Sequence, residues 1–128
     1  MKKNKISKNW INKQRRDIFV RKSKVEGYRS RAVYKLQEID EKFKIFKNGI
    51  SLIDIGAAPG SWSQYAAKRI KNSKILSIDL NEIKNIGNTF QLKGDFMESK
   101  YKSEIREYFG RKVDVVLSDM AVNTTGNK

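Results

Sequence analysis

The chain has no cysteine and no histidine, and Pro59 is the single proline among its 128 residues. Without cysteine there is no disulfide framework and no thiol nucleophile. Without histidine there is no imidazole base, and the two absences together remove Cys/His zinc sites, so no metal site is expected. Any chemistry falls to carboxylates, amines, hydroxyls, the backbone or a cofactor. One proline makes no proline-rich linker, and no internal repeat is present. No run approaches the roughly 18 apolar residues of a membrane-spanning helix, and the lysine-rich start lacks the apolar centre of a signal peptide. Cytoplasmic residence without a membrane partner is therefore expected. A mitochondrial presequence fits less well, because such segments favour Arg over Lys and avoid acids.

Acidic residues are also scarce, 14 against 28 Lys and Arg, which leaves a formal charge of +14. A length of 128 residues allows one domain with a real core but not two. The excess charge is concentrated: residues 1–31 hold 12 basic and 2 acidic residues, net +10, whereas the remaining 97 carry net +4. Such density steers a protein towards a polyanion, of which nucleic acid is the usual one, with a solvated basic tail as the plainer alternative.

Along the chain, residues 1–8 read as disordered and residues 9–26 as a basic helix carrying Trp10, Ile11, Ile18 and Phe19. Trp10 is expected to pack this helix against the domain. A second helix is predicted from Ser30, with Val33, Leu36, Ile39 and Phe43 forming a one-sided apolar stripe and Arg31, Lys35, Glu38 and Lys42 on another face. Asn48-Gly49 closes it. A β-α-β pattern follows: a strand at residues 51–55, a helix at 62–71 and a strand at 74–79. A weaker strand at 89–92, a helix at 99–109 and a strand at 113–118 complete the pattern. Alternation of this kind implies a parallel sheet with helices on its faces, and ligands then bind beyond the carboxyl ends of the strands.

Those ends carry the chemistry. The first strand runs into Gly56-Ala57-Ala58-Pro59-Gly60, whose glycines allow a tight turn and close approach of a ligand to the backbone. The second ends at Asp79, 23 residues after Gly56, where a carboxylate accepts hydrogen bonds from the hydroxyls of an adenosine ribose. These two features suit NAD or S-adenosylmethionine alike. Asp95, in Gly94-Asp95-Phe96, is placed to accept from an adenine amino group, and Asp119 ends the fourth strand in Ser118-Asp119-Met120-Ala121. The glycine loop is not G-x-G-x-x-G, which favours a methyl donor. Each Asp alone reads equally as a helix cap or turn residue; three at successive strand ends beside such a loop do not.

Asp54-Ile-Gly-Ala-Ala-Pro-Gly-Ser-Trp-Ser-Gln64, with Ser118-Asp-Met-Ala121 and the preceding Tyr28-Arg-Ser-Arg-Ala-Val-Tyr-Lys-Leu36, resembles the FtsJ/RrmJ-type ribose 2′-O-methyltransferases over about residues 9–126. The resemblance implies a Rossmann-like α/β methyltransferase fold. It also implies S-adenosylmethionine as cofactor, held by Gly60, Trp62, Asp79, Asp95 and Asp119, and methylation of a uridine ribose in large-subunit (23S) ribosomal RNA. Lys35 and Asp119 match two members of the family's Lys-Asp-Lys-Glu catalytic set. Trp62 reads alternatively as packing at the start of its helix. The chemistry agrees: a sulfonium methyl donor is strongly electrophilic, so the protein has to hold a hydroxyl in line and assist loss of its proton. Methylation at C5 of a pyrimidine proceeds through a thiol adduct, which a chain without Cys cannot form.

In this reading residues 1–29 are a basic RNA-binding segment and residues 30–128 the N-terminal part of a methyltransferase domain. Arg15, Arg16, Arg21, Lys22, Lys24, Arg29 and Arg31 are candidate phosphate contacts, with Tyr28 or Trp10 available to stack on a base. The family sheet has seven strands, and its last ones, which carry the remaining catalytic Lys and Glu, have no counterpart here. Val122 also replaces the family's Pro after Met-Ala. The strand order that the resemblance implies, 3-2-1-4, leaves the fourth strand as an apolar edge, and a truncated copy with weak or no turnover is thus expected. The alternatives are one half of a split methyltransferase completed by a second polypeptide, or a non-enzymatic remnant or RNA-binding fragment.

Overall fold

The computed structural model describes the backbone of residues 2–119, and side chains from Lys8 onward. Its elements are α1 (Lys2–Glu26), α2 (Val33–Phe43), β1 (Ser51–Ile55), α3 (Ser61–Arg69), β2 (Lys74–Asp79), β3 (Phe90–Lys93), α4 (Ser99–Phe109) and β4 (Val115–Ser118). The four strands form one parallel sheet, as the alternation predicts, in the order β3-β2-β1-β4 that the resemblance implies. All five residues of β1 are buried. Its side chains alternate between two cores, Leu52 facing α2 and α3, and Ile53 and Ile55 facing α4.

On the first face Val33 and Leu36 of α2 meet Trp62, Tyr65 and Ala66 of α3 over Leu52 and Ile75. On the second, Ile105 and Phe109 of α4 cover Ile53, Ile55, Leu76 and Ile78. Each such buried side chain contributes roughly 1.5–3 kcal/mol. A third, smaller cluster joins Ala57 of the glycine loop to Ile83 and Ile86, and so ties the segment after β2 to the loop after β1. Among the described residues no helix is long and apolar enough to cross a membrane.

The structure corrects several expectations. Helix α1 begins at Lys2, so the segment expected to be disordered is helical from there, and no Gly or Pro interrupts residues 2–26. Trp10 does not pack the helix down; it is 63 % exposed. Helix α2 starts at Val33 rather than Ser30. The Ser30 hydroxyl is turned to the Ser61 hydroxyl, 2.8 Å away, and accepts the Ala32 N–H at 3.3 Å, which holds residues 30–32 as a turn. Phe43 is exposed and Asp40 is buried in its place. Lys44 takes a left-handed conformation that brings Phe46 into the core. Asp40 secures the reversal by accepting the Phe46 N–H at 3.1 Å, the Tyr65 hydroxyl at 2.8 Å and Arg69 Nε at 3.2 Å. Met120, Ala121 and Val122 lie outside the described residues.

Candidate active site

Parallel pairing brings the residues after all four strands to one edge of the sheet. Ile55 lies beside Ile78 on one side and Ser118 on the other, so Gly56, Asp79 and Asp119 leave their strands together, with Asp95 following β3. A cleft of about 380 Å³ opens there, lined by Gly56, Ala58, Asp79, Asp95, Phe96 and Asp119 among others. A larger cavity near Lys74 and Phe90 lies towards the opposite end of the strands, away from the edge where ligands of open parallel sheets bind.

The loop after β1 is shaped by its neighbours. Asp79 accepts the Ala58 N–H at 2.9 Å through Oδ2 and the Asn81 N–H at 2.7 Å through Oδ1, which fixes both loops bordering the cleft. Asp95 accepts the Met97 N–H at 2.8 Å through one oxygen. Each carboxylate oxygen offers two acceptor positions, so both groups retain capacity for a ligand's hydroxyl or amino groups. Gly60 adopts φ +116°, and a Cβ there would fall 2.8 Å from Ile86 Cδ1 and 3.0 Å from Arg29 Nη1. Only glycine satisfies both the conformation and the space. Asp and Gly residues around a cleft of this size suit a small ligand that offers hydroxyl or amino hydrogen-bond donors. Trp62 does not line this cleft; it is buried, with its indole N–H donated to Ala32 O at 2.8 Å, and lines the adjoining small pocket that shares Gly56, Ala58 and Asp119 with the cleft.

Two of the sequence-predicted catalytic residues meet. Lys35 Nζ, projecting from α2, lies 3.2 Å from Asp119 Oδ1 at the end of β4. Behind them Asp54, within β1, is 2 % exposed and accepts the Ser63 hydroxyl at 2.8 Å. Burial pushes its carboxyl up to about 7, the charges of Asp119 and Asp79 push in the same direction, and the Ser63 bond opposes them. Asp54 lines a small pocket with Gly56, Ala58, Pro59, Trp62 and Asp119. Sequence reasoning did not single it out, although an acid inside an otherwise apolar strand was visible as a signal.

The basic residues divide. Arg15, Arg16, Arg21, Lys22, Lys24 and Arg31 are exposed. Arg29 is engaged: its guanidinium donates to Pro59 O at 3.0 Å, Lys84 O at 2.7 Å and Asn85 O at 2.8 Å. Its backbone N–H goes to Gln64 Oε1 at 2.8 Å, and Gln64 returns a bond to Gly27 O. Residues 27–32 thus form a strap laid over the glycine loop and the start of α3. Arg29 acts there as a clamp, a different use from the phosphate contact that charge alone suggests. Arg29→Ala should cost about 2 kcal/mol, hydrogen bonds from charged groups contributing more than neutral ones, and lower the melting temperature by about 8 °C. Arg29→Lys should restore under half, since an ammonium cannot span three carbonyls. Thermal unfolding followed by circular dichroism measures this, and an unchanged melting point for Arg29→Ala would remove the clamp.

The model describing FtsJ-like methyltransferases matches residues 28–128. The chain belongs to the FtsJ-like methyltransferase family. It is 64 % identical over 128 residues to the ribosomal RNA large subunit methyltransferase E of Pelagibacter ubique (strain HTCC1062), covering all of this chain and 63 % of that protein. It is 49 % identical to the protein of the same name in Rickettsia akari (strain Hartford), covering 95 % of this chain and 56 % of that one. This FtsJ-like chain therefore spans about three fifths of the length of these curated relatives. Among solved structures, a Plasmodium falciparum protein described as a ribosomal RNA methyltransferase superposes with a TM-score of 0.70 at 35 % identity, covering 78 % of this chain and 60 % of that one. The four-stranded parallel sheet is thus the family fold, and membership in a methyltransferase family implies a methyl donor.

Proposed function

We propose that this domain takes part in S-adenosylmethionine-dependent methylation of a ribose 2′-oxygen, on a uridine of large-subunit ribosomal RNA. The observation that carries the reading is the approach of Lys35 Nζ to within 3.2 Å of Asp119 Oδ1, at the rim of a cleft walled by Asp79 and Asp95. When bound, S-adenosylmethionine supplies an electrophilic methyl group. Asp79 and Asp95 would hold its hydroxyl and amino groups and Gly56 would let the backbone come close, while Gly60, packed against Ile86 and Arg29, shapes the loop from behind. The Lys35 ammonium stands where it lowers the energy of a ribose oxygen losing its proton, and Asp119 orients that ammonium. No step calls on a thiol or an imidazole, which this chain lacks.

In the same reading residues 1–29 are the RNA-binding segment, with Arg15, Arg16, Arg21, Lys22, Lys24 and Arg31 against phosphates and residues 30–128 forming the methyltransferase part. The names of the relatives support ribosomal RNA as the polyanion, and with that substrate the site of action is the cytoplasm. Val116, at the edge strand β4, is 61 % exposed. A further strand, from a longer chain or a second polypeptide, would pair there.

The test is transfer of a labelled methyl group to unmodified large-subunit RNA, by the chain alone and with a polypeptide carrying the remaining strands of a relative. Label on ribose supports the reading, and label on a base overturns it. Calorimetric titration with S-adenosylmethionine checks the donor contacts. Asp79→Ala and Asp95→Ala should each weaken binding about tenfold, equivalent to about 1.4 kcal/mol. Unchanged affinity in both would mean that the donor lies elsewhere.

A further inference from the structure

We propose that the groove between α1 and α2 is a nucleobase-binding site in which Phe19 stacks on a base of the RNA, next to the ribose that reaches Lys35. The proposal rests on the RNA-methylating reading above and adds to it the side chains that grip the acceptor. Among the described residues the groove has a volume of about 570 Å³ and is lined by Phe19, Ser30, Arg31, Tyr34, Lys35 and Asp119, with Glu38 at its wall. Asp119 also lines the donor cleft after the strands. It is a shared wall, so a nucleotide in the groove and a donor in the cleft meet at the Lys35–Asp119 pair.

The groove is built rather than incidental. Phe19 is 40 % exposed, yet its ring is backed by Tyr34, with centroids 5.5 Å apart and planes tilted 32°. Tyr34 is itself fixed from three directions. Its hydroxyl donates to Glu26 Oε1 at 2.6 Å, Lys22 Nζ lies 4.7 Å from its ring centroid, and Tyr28 meets it edge-on at 6.4 Å. Burial and the Glu26 bond push the Tyr34 phenol up, so it stays neutral. A held aromatic pair offering one ring to solvent is a stacking platform.

Its surroundings decide the occupant. Arg31 and Lys35 stand beside Glu38 and Asp119 in the groove, and the exposed Arg15 and Arg16, four and three residues before Phe19 on α1, share its face and extend positive charge beyond the groove, which complements a phosphate backbone. Glu38 supplies an acceptor for a base N–H, while the Ser30 hydroxyl is held by Ser61 and Ala32. An acyl chain or an apolar peptide would need a longer apolar trough, whereas only Phe19, Tyr34 and Ala32 provide apolar surface here. A flat heterocycle on a charged backbone matches all of these features.

The experiment compares binding of two oligoribonucleotides of equal length and charge, one of uridines and one abasic, by the full chain at fixed salt. The wild type should prefer the uridine oligomer about tenfold, the size of one base–aromatic stack. Phe19→Ala and Phe19→Leu should bring that ratio close to one while the abasic oligomer binds as before, and Phe19→Tyr should retain it. Circular dichroism and S-adenosylmethionine affinity should match wild type in all three variants. Leu keeps the apolar bulk, so it separates loss of stacking from loss of packing. An unchanged ratio in both the Ala and Leu variants, or equal binding of the two oligomers by wild type, would overturn this inference and leave the proposed function intact. Failure of wild type to bind either oligomer would overturn the RNA reading and this site with it.

Discussion

Between pH 4 and 7 the wild-type fold should lose on the order of 4 kcal/mol of stability that an Asp54→Asn variant does not lose. The Asp54 carboxyl, 2 % exposed, is held up to about 7 chiefly by burial, against about 3.9 in an unfolded chain. The sign follows from proton counting. As pH rises through this window the unfolded chain releases the proton while the folded chain keeps it, so stability is greatest below pH 4, falls towards pH 7 and is level above it. Three pKa units correspond to about 4 kcal/mol. Asn has nearly the same shape, still accepts the Ser63 hydroxyl through its amide oxygen, and never charges. It should match wild type near pH 4 and exceed it at pH 8. Urea unfolding of both proteins at pH 4.5, 6 and 8 measures the difference, which cancels the other titrating carboxylates; parallel curves would show that Asp54 ionises in the fold as readily as in the unfolded chain, so that burial does not hold its proton. A neutral Asp54 also spares the rim a third negative charge behind Asp79 and Asp119.

The sheet was legible because its signals are local. Ser51–Ile55, Lys74–Asp79 and Ser99–Phe109 fall on the residues that pattern alone predicts, whereas the strand order, with the consecutive β3 and β4 at opposite edges, came from the family resemblance and not from the pattern. Once the strands are parallel, the convergence of Gly56, Asp79, Asp95 and Asp119 needs no further information. What sequence could not show were choices settled by tertiary partners. Arg29 has the same composition signal as Arg31, two residues away, yet its donors are taken by carbonyls of residues 59, 84 and 85, which no periodicity connects to it. Phe43 has the right spacing for the apolar stripe of α2, but a left-handed Lys44 ends the helix there and gives the core position to Phe46. Asp40 was readable as a disturbance of that stripe. Its three donors, from a loop N–H, a tyrosine and an arginine, were not.

Lys35→Ala should leave the fold almost untouched and slow methyl transfer by about two to three orders of magnitude. The two halves of this expectation have different causes. The Lys35 and Asp119 side chains are 64 % and 37 % exposed, and an exposed ion pair of this kind contributes under about 1 kcal/mol to stability, less at high salt. The melting temperature should accordingly move by no more than about 3 °C. The proposed reaction would ask more of the same ammonium, because negative charge would grow on the ribose oxygen only as that reaction proceeds, and a fixed positive charge beside it lowers the barrier without binding the ground state more tightly. The loss should therefore fall on kcat, with KM for RNA changing less than threefold, about 0.6 kcal/mol. Lys35→Arg keeps the charge but spreads it over a planar group that cannot occupy the same point, so it should recover only part of the rate. Asp119→Asn should lower kcat too, by releasing the ammonium that its carboxylate holds at 3.2 Å. The measurement is single-turnover transfer at saturating donor, with the remaining strands of a relative supplied in trans. If Lys35→Ala raised KM and left kcat alone, Lys35 would be a phosphate contact like its basic neighbours, and the methyl acceptor would lie away from the α2–β4 junction.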